Sequence, residues 1–218
     1  MIQCARLKSV VLAALMTLGL GTHTAQAAEL ETITVAGGCF WCVEADFERV
    51  NGVKEAVSGF IGGSVSDPSY KQVTSGGTGH YEAVQIIFDP GVVSRDTLYS
   101  LFFRSIDPTD AGGQFCDRGE SYRTAIFTSS SAQADAATQA KEDAQRALGQ
   151  TVVTPILSAG TFYPADAYHQ DYYKGRRFII TRFGPKRQAA AYKLYREACG
   201  RDARVRELWG PTAPFAGS

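Results

Sequence analysis

Two cysteines separated by two aromatic residues stand in the segment GGCFWC, residues 37–42. A pair with this spacing can be a redox couple, half of a metal site, a structural disulfide, or a nucleophile beside a second thiol that takes no part. A strand-like alternation precedes the two glycines and a helical pattern of apolar residues follows them, which places Cys39 at the start of a helix. The unpaired N–H groups of a first helical turn favour a thiolate and predict a lowered pKa for the Cys39 thiol. The segment therefore predicts a nucleophilic cysteine.

Phe40 and Trp41 follow this cysteine directly, and two interpretations of them stay open. Each can belong to the hydrophobic core, as large aromatic residues usually do. Two bulky rings beside a nucleophile can also wall an apolar pocket. Such a pocket would suit a sulfur-bearing side chain such as that of methionine, because sulfur packs well against aromatic rings.

A glutamate lies near the start of a predicted strand in TGHYEAVQIIFDP, residues 78–90. In a strand, Glu82 shares a face with Val84, Ile86 and Phe88. If this is the core face, burial raises the pKa of the Glu82 carboxyl, which could then act as a general acid near neutral pH. An exposed glutamate at a strand end is the alternative.

Further polar candidates lie in two loops. Asp117 and Tyr122 belong to GQFCDRGESYRTAIF, a stretch just before a predicted strand and long enough to be functional. YHQDYY, residues 168–173, places His169 among tyrosines. Structural roles compete with functional ones here, because an aspartate can cap a turn, a tyrosine can pack, and a lone histidine is often part of the core.

Other forms of cysteine chemistry are less well supported by the spacing. A structural zinc site needs four ligands, usually in two close pairs, whereas Cys116 and Cys199 stand alone and His80 and His169 have no spaced partner. We therefore expect no metal. A thioredoxin-like disulfide oxidoreductase is the stronger rival, although Pro155, the proline that could stand opposite the cysteines, comes far downstream of them. Structural disulfides in an exported binding module are the third alternative.

The composition is that of a globular protein with 44% hydrophobic residues, and Lys plus Arg and Asp plus Glu both number 22. No basic stripe occurs, so nucleic acid is not an expected partner. Residues 1–28 combine a basic start, a short apolar run and the small-residue sequence AQA, which predicts a secretory signal peptide, with an uncleaved anchor as the alternative. Residues 29–218 are then expected to form one soluble domain, periplasmic or secreted.

The remaining elements alternate along the chain. Strands are predicted at residues 31–38, 53–63, 81–90, 122–130 and 151–160, and helices at 40–50, 94–106, 131–148 and 186–199. Ser130 with Gln133 resembles a capping box at the start of the alanine-rich helix. The connections do not suit a regular doubly wound sheet, so the pattern favours an α/β sandwich with helices packed on a mixed sheet.

Taken together, these motifs resemble those of the A-type peptide methionine sulfoxide reductases. GCFWC resembles the G-C-F-W signature of that family, TGHYEAVQIIFDP its G-H-x-E-x-V strand, FCDRGESYR its D-x-G-x-x-Y-R segment, and YHQDYY its Y-H-Q-x-Y segment. The four motifs occur in the family's order, and the resemblance covers residues 32–210. The sequence is therefore identified as a member of this family.

The resemblance implies a two-layer, ferredoxin-like α+β sandwich. It also implies reduction of methionine-S-sulfoxide, free or in proteins, with no cofactor and a thioredoxin or exported thioredoxin-like protein as reductant. The implied catalytic residues are Cys39 as nucleophile, Glu82 as general acid, Asp117, Tyr122, and Cys199 as resolving cysteine. The implied substrate contacts are Phe40, Trp41, Phe60, His169 and Tyr172. Nothing in the sequence indicates oligomerisation, so a monomer is expected.

Three positions depart from the family pattern. Phe60 stands where the family often has a tyrosine expected to bind the sulfoxide oxygen, so that contact is expected to be missing. Cys116 replaces a common asparagine, and Cys42 replaces a common glycine. Cys42 could compete with Cys199 as resolving thiol, but Cys199 is favoured because a cysteine beside a glycine at a helix end can swing toward the site.

Overall fold

A mixed six-stranded sheet forms the centre of the protein, in a computed structural model that describes residues 29–217. Its strands are β1 (Glu31–Gly37), β2 (Val53–Ile61), β3 (Tyr81–Phe88), β6 (Thr124–Thr128), β7 (Ile156–Ser158) and β8 (Tyr163–Pro164). Two separate hairpins pair β4 (Gly113–Gln114) with β5 (Asp117–Arg118), and β9 (Phe178–Thr181) with β10 (Gly184–Arg187). The sheet order is β7-β6-β1-β3-β2-β8, in which β6 and β7 are parallel and the other neighbours antiparallel.

The helices are α1 (Phe40–Phe47), α2 (Tyr70–Thr74), α3 (Arg95–Phe103), α4 (Ser131–Leu148), α5 (Gln188–Ala198) and α6 (Arg201–Trp209). Helices α1, α3 and α4 bury their apolar faces against the sheet in the main hydrophobic core. The expected α/β fold with helices on a mixed sheet is confirmed. No helix within residues 29–217 is long and apolar enough to cross a membrane. The predicted signal peptide, residues 1–28, lies outside the described residues.

Strand β3 supplies the core face predicted for Glu82. Val84, Ile86 and Phe88 are fully buried in the main core, and Glu82 on the same face is only 1% exposed. Neighbouring β1 runs antiparallel to β3 and pairs Val35 with Val84. The carboxyl group of Glu82 is therefore buried near the end of the central strand pair.

The helix starts follow the expected polar caps. The Ser94 side chain accepts a hydrogen bond from the Thr97 N–H at the start of α3, and Ser130 accepts one from the Gln133 N–H at the start of α4. The Gln133 side chain accepts from the N–H of Ser129 rather than that of Ser130, so the predicted capping box is only half formed. These bonds satisfy N–H groups that a helix start otherwise leaves unpaired.

Several elements differ from the sequence prediction, which did not include α2, α6, β4, β5 and β8. The strand expected at residues 151–160 shrinks to β7, because Pro155 lacks an N–H and the Val153 N–H instead donates to the Pro108 carbonyl. The hairpin of β9 and β10 was not predicted, and its Ile180 is 91% exposed. An exposed hairpin lacks the alternation of buried and exposed residues from which strands are recognised.

A buried ion-pair network attaches α5 and α6 to the core. Arg196 of α5 donates to Asp46 of α1 over 2.9 Å, with the two side chains 5% and 0% exposed. Arg196 also bonds Asp202 of α6 and the carbonyl oxygen of Phe215. This network holds the C-terminal helices against the helix that begins at Cys39.

Replacing Arg196 with alanine is expected to destabilise the fold by about 3–5 kcal/mol, because it leaves the buried Asp46 carboxylate without its closest cation. Arg146→Ala is the matched control, since Arg146 pairs with Asp143 on the exposed surface of α4. The control is expected to cost less than about 1 kcal/mol. Urea unfolding of both variants measures the difference, and equal losses would contradict this role of the buried pair.

Candidate active site

Cys39 lies at the junction between β1 and α1, as the sequence predicts. Strand β1 ends at Gly37, and Cys39 is the N-terminal cap residue of α1. Gly38 between them has a φ of +81°, and a Cβ atom there would lie 2.6 Å from the Cβ of Gln114. Glycine is therefore required in this tight turn, which leaves Cys39 partly exposed at the end of the sheet.

The Cys42 thiol has the largest effect on the Cys39 thiol. Cys39 donates a hydrogen bond to the Cys42 sulfur, and this bond, together with burial, raises the pKa of Cys39 well above its usual value. The same bond lowers the pKa of Cys42 to about 7, with the nearby charges of Arg201 and Arg196 also lowering it. A thiolate therefore forms more readily on Cys42 than on Cys39.

The prediction of a lowered pKa for the Cys39 thiol was wrong, since its pKa is raised. The Cys39 side chain makes no capping hydrogen bond to the helix N–H groups. The N–H of Phe40 is taken by Glu82, and the negative charges of Glu82 and Asp117 further disfavour a thiolate on Cys39. The position at the helix start was predicted correctly, but tertiary contacts outweigh its effect.

Glu82 reaches the start of α1 from the neighbouring strand. Its Oε2 accepts a hydrogen bond of 3.1 Å from the Phe40 N–H, while among residues 29–217 no group hydrogen-bonds to its buried Oε1. Burial raises the pKa of Glu82 to about 8, against the opposing effect of the Phe40 bond. The carboxyl group is therefore mostly protonated at neutral pH, as the strand pattern predicted.

A pair of tyrosine hydroxyls lies beside this carboxyl group. The Tyr70 hydroxyl donates to that of Tyr122, and burial followed by the charge of Glu82 raises the pKa of both phenols. Tyr122 was predicted, whereas Tyr70 was missed. The sequence did contain a sign of the helix that carries Tyr70. Ser69 and Gln72 have the spacing of a capping box, which places Tyr70 at the first position of α2.

Phe60, implied as a substrate contact, lies in the hydrophobic core and not in the wall of the site. Phe60 is 1% exposed and packs in the core against Phe40, with ring centroids 5.8 Å apart. Phe40 is equally buried and stacks on Tyr70 at 6.0 Å. Both rings pack behind the site, whereas Tyr70 carries a hydroxyl that interacts with that of Tyr122.

The other predicted aromatic contacts are brought together. Trp41 stacks on Tyr172 with centroids 3.7 Å apart and an interplanar angle of 4°. His169 packs between Trp41, at 5.7 Å, and Tyr70, at 4.2 Å. Burial lowers the pKa of His169, which favours its neutral form. Trp41 and Tyr172 form an apolar wall beside Cys39, and His169 packs behind it.

A disulfide joins Cys116 to Cys199 across 83 residues, a pairing the sequence did not indicate. Among residues 29–217, Cys39 and Cys42 are the free cysteines. Asp117 lies next to this bond, with its Oδ2 3.8 Å from the Cys199 sulfur, and burial raises the pKa of the Asp117 carboxyl. Cys199 is therefore near the predicted site but already bonded.

A cavity of about 400 Å³ connects these groups. Its wall includes Cys39, Trp41, Cys42, Tyr70, Glu82, Cys116, Asp117, Tyr122, Tyr172 and Cys199. The wall combines aromatic rings with two carboxyl groups, tyrosine hydroxyls and four sulfurs. An apolar side chain ending in a polar oxygen fits this lining.

Within the described part of the chain, two residue groups could place three metal-ligand atoms together. One is Cys116, Asp117 and Cys199, and the other is Glu44, Glu48 and Asp171. The sulfurs of the first group are bonded to each other, so they offer no thiolate. In the second, Lys174 already pairs with Glu48 and Asp171.

Comparison with known proteins extends the resemblance to most of the chain. The family described as "Peptide methionine sulfoxide reductase" matches residues 31–199. The chain is 43% identical over 205 residues to peptide methionine sulfoxide reductase MsrA 2 of Caulobacter vibrioides, covering 94% of this chain and 98% of that protein. It is 46% identical over 193 residues to MsrA 2 of Rhizobium meliloti, covering 88% and 90%.

Solved structures agree with the sequence comparison. Reduced Mxr1 from Saccharomyces cerevisiae superposes with a TM-score of 0.64 at 33% identity, covering 66% of this chain and 84% of that one. Methionine sulfoxide reductase A of Corynebacterium diphtheriae gives 0.62 at 32% identity, covering 72% and 79%. The fold and the sequence that carry Cys39, Glu82 and the two tyrosines thus both match proteins of this family. The chain belongs to the peptide methionine sulfoxide reductase family and is an oxidoreductase of the MsrA type.

Proposed function

We propose that this enzyme reduces methionine-S-sulfoxide, free or in oxidised proteins, to methionine. The observation that carries the proposal is the buried Glu82 carboxyl group, whose second oxygen is unpartnered among the described residues and which lines the same cavity as Cys39. A sulfoxide oxygen is a strong hydrogen-bond acceptor, and a protonated carboxyl group is a suitable donor for it.

In the first step the Cys39 sulfur attacks the sulfoxide sulfur while Glu82 protonates the sulfoxide oxygen. Oxide is a very poor leaving group, so this proton is needed for the S–O bond to break. The thiol proton of Cys39 passes to Cys42, the sulfur to which it is hydrogen-bonded. The S–O bond breaks with release of water, which leaves Cys39 bonded to the methionine sulfur as a sulfonium. Water then attacks the Cys39 sulfur of this adduct, so that methionine leaves and Cys39 becomes a sulfenic acid.

The aromatic wall and the tyrosine pair orient the substrate. Trp41 and Tyr172 contact the methyl and methylene groups of the sulfoxide, where sulfur packs favourably against rings. Tyr70 and Tyr122 direct their hydroxyls to the sulfoxide oxygen, and Asp117 helps to order the polar groups of the cavity wall. Because the rings and the oxygen donors contact different parts of the sulfoxide, one epimer fits better than the other.

The sulfenic acid then condenses with a second thiol to an intramolecular disulfide, and we assign that thiol to Cys199. Cys199 is bonded to Cys116 in this structure, so that bond has to be reduced before Cys199 can react. Cys42 is the competing thiol, because it is hydrogen-bonded to Cys39. A dithiol protein of the thioredoxin class is the proposed reductant.

The cellular role follows from the N-terminal pattern of the sequence. A signal peptide at residues 1–28 would export the enzyme as a periplasmic or secreted monomer. Its substrates would then be exported proteins in which oxidised methionines have turned polar and disturb packing.

The first experiment supplies racemic, blocked methionine sulfoxide and a small dithiol to the mature protein. We expect only the S epimer to disappear, as measured by chiral chromatography, and we expect no loss with Cys39→Ser. If neither epimer is consumed while insulin disulfides are reduced, the enzyme is instead a disulfide oxidoreductase of the Cys39–Cys42 pair. The interaction between these two thiols is the observation that favours this second function.

The rate of methionine formation is expected to fall as the pH rises through about 8, because Glu82, with its pKa raised to about 8, then loses the proton it must donate. Glu82→Gln is expected to lower the single-turnover rate by on the order of 10²–10⁴ and to abolish this decline. Glu142→Gln, on the exposed surface of α4, is the matched control and is expected to keep both. A decline near pH 8 that persists in Glu82→Gln would assign the titration to another group.

Tyr70 and Phe60 are distinguished by a reciprocal pair of substitutions. Tyr70→Phe removes a hydroxyl from the cavity and is expected to lower kcat by on the order of 100-fold. Phe60→Tyr places a hydroxyl in the core, where it is expected to lower the thermal midpoint without raising kcat. Steady-state kinetics and thermal unfolding measure both effects. An increase in kcat for Phe60→Tyr would show instead that a hydroxyl at position 60 reaches the sulfoxide oxygen.

A further inference from the structure

The hairpin of β9 and β10 lies beside the cavity that contains Cys39. Three of its residues, Ile179, Ile180 and Arg182, belong to the cavity wall. Ile179 also packs on the apolar cluster that includes Tyr172, which joins the hairpin to the aromatic wall. The hairpin is therefore part of the site, although the proposed chemistry uses none of its residues.

The hairpin and its flanks carry a strong excess of positive charge. The segment KGRRFIITRFGPKR, residues 174–187, contains six basic residues and no acidic residue, whereas basic and acidic residues balance over the whole chain. Lys174 pairs with Glu48 and Asp171. Within the described part of the chain, five basic residues of this segment have no carboxylate partner: Arg176, Arg177, Arg182, Lys186 and Arg187. Because these like charges repel one another, an anionic partner is favoured here.

One face of the hairpin presents apolar side chains together with this charge. Phe178 is 66% exposed and Ile180 is 91% exposed. The register places Arg187 opposite Phe178 and Pro185 opposite Ile180, so all four side chains share one face. The Arg187 guanidinium lies over the Phe178 ring, 4.4 Å from its centre. Exposed apolar side chains that lie together among charged residues mark a contact surface.

Two of the cations also contact tyrosines of the cavity wall. The Arg177 guanidinium lies 5.5 Å from the ring centre of Tyr168, and that of Arg182 lies 5.3 Å from the ring centre of Tyr195. Both tyrosines line the cavity. The positive charge therefore extends from the outer face of the hairpin to the cavity itself.

The surface is held in position by the neighbouring segments. The Arg187 side chain donates a hydrogen bond of 2.9 Å to the Arg176 carbonyl oxygen, and the Gln188 N–H donates one of 3.0 Å to the Arg177 carbonyl oxygen. The Phe183 ring packs edge-on against Tyr195 of α5, with centroids 5.4 Å apart. A surface that is already ordered loses little conformational freedom when a partner binds.

We propose that this hairpin is the docking surface for oxidised protein substrates, and that it binds an extended, acidic segment whose methionine sulfoxide enters the cavity. The proposal rests on the proposed function, since it requires the sulfoxide to react beside Cys39. Acidic residues next to the methionine sulfoxide pair with the unpaired cations, and apolar residues contact Phe178 and Ile180.

The position of the hairpin favours a polypeptide segment over a membrane. Anionic lipids also attract basic surfaces with exposed apolar side chains. However, Ile179, Ile180 and Arg182 are part of the cavity wall, and the residues next to a bound methionine sulfoxide have to leave the cavity along its wall. The hairpin therefore lies where the flanking residues of a protein substrate pass.

The test compares three substrates, each with a small dithiol as reductant so that docking of a reductant protein plays no part. Two are peptides with methionine sulfoxide between acidic or between basic residues, and the third is blocked methionine sulfoxide. For the mature wild-type protein at low salt, we expect kcat/KM to be about 10-fold higher for the acidic peptide than for the basic one, mainly through KM. High salt is expected to reduce this difference, because it screens exposed charges.

A double charge reversal, Arg176→Glu with Lys186→Glu, changes the hairpin at two positions that do not line the cavity. It is expected to reverse the preference, so that the basic peptide becomes the better substrate, while kcat/KM for blocked methionine sulfoxide stays unchanged. The matched control is Lys54→Glu with Arg146→Glu. It changes the net charge equally on the exposed surfaces of β2 and α4, and it is expected to keep the wild-type preference.

Equal kcat/KM values for the two peptides in the wild type, or a preference that the hairpin reversal leaves intact, would overturn the docking surface alone. An equal change in the control would do the same, because it would assign the effect to net charge. If the peptides react alike while only the wild-type hairpin sediments with vesicles of anionic lipid, the hairpin is a membrane contact and the proposal is wrong. No conversion of blocked methionine sulfoxide would overturn the proposed function and this proposal with it.

Discussion

The hydrogen bond between the Phe40 N–H and the Glu82 carboxyl group is the contact on which the rest of the site depends. It ties the first turn of α1 to β3 inside the main core. The register of β1 and β3 pairs Val35 with Val84, and continuing it by two residues places Gly37 opposite Glu82. The sheet itself therefore brings the acid to the start of the helix that carries Cys39.

Burial at this position decides the charge state of the acid. An ionised carboxylate without a cation is costly in an apolar environment, so Glu82 keeps its proton to about pH 8. Its protonated form can donate to an oxygen in the cavity while its other oxygen accepts from Phe40. Cations are placed elsewhere, since Arg196 and Arg201 lie on the side of Cys42 and Asp46. The site thus keeps Glu82 neutral while it lowers the pKa of the Cys42 thiol.

Short-range sequence patterns were sufficient for the features that one element determines. The alternation in β3 gave the core face of Glu82, and the Gly-Gly turn gave the position of Cys39 at the start of α1. The helices that pack on the sheet, and their serine caps, follow from the same kind of pattern.

Features that depend on contacts between distant segments could not be derived in this way. The Cys116–Cys199 bond spans 83 residues, and the partner of Tyr70 lies on a different element. The pKa of Cys39 is set by Cys42, Glu82 and Asp117 more than by its own helix. The family resemblance implied Phe60 as a substrate contact, but a sequence motif does not show how deep behind the cavity a side chain lies.

The most direct test of this account is the protonation state of Glu82 in the folded enzyme without substrate. Infrared difference spectra between wild type and Glu82→Gln, recorded across a pH series, isolate the carbonyl band of a protonated carboxyl group. The account predicts that this band is present at pH 7 and disappears with a midpoint near pH 8, as burial requires. A carboxylate signal at pH 7, with the midpoint at the usual value for glutamate, would contradict it.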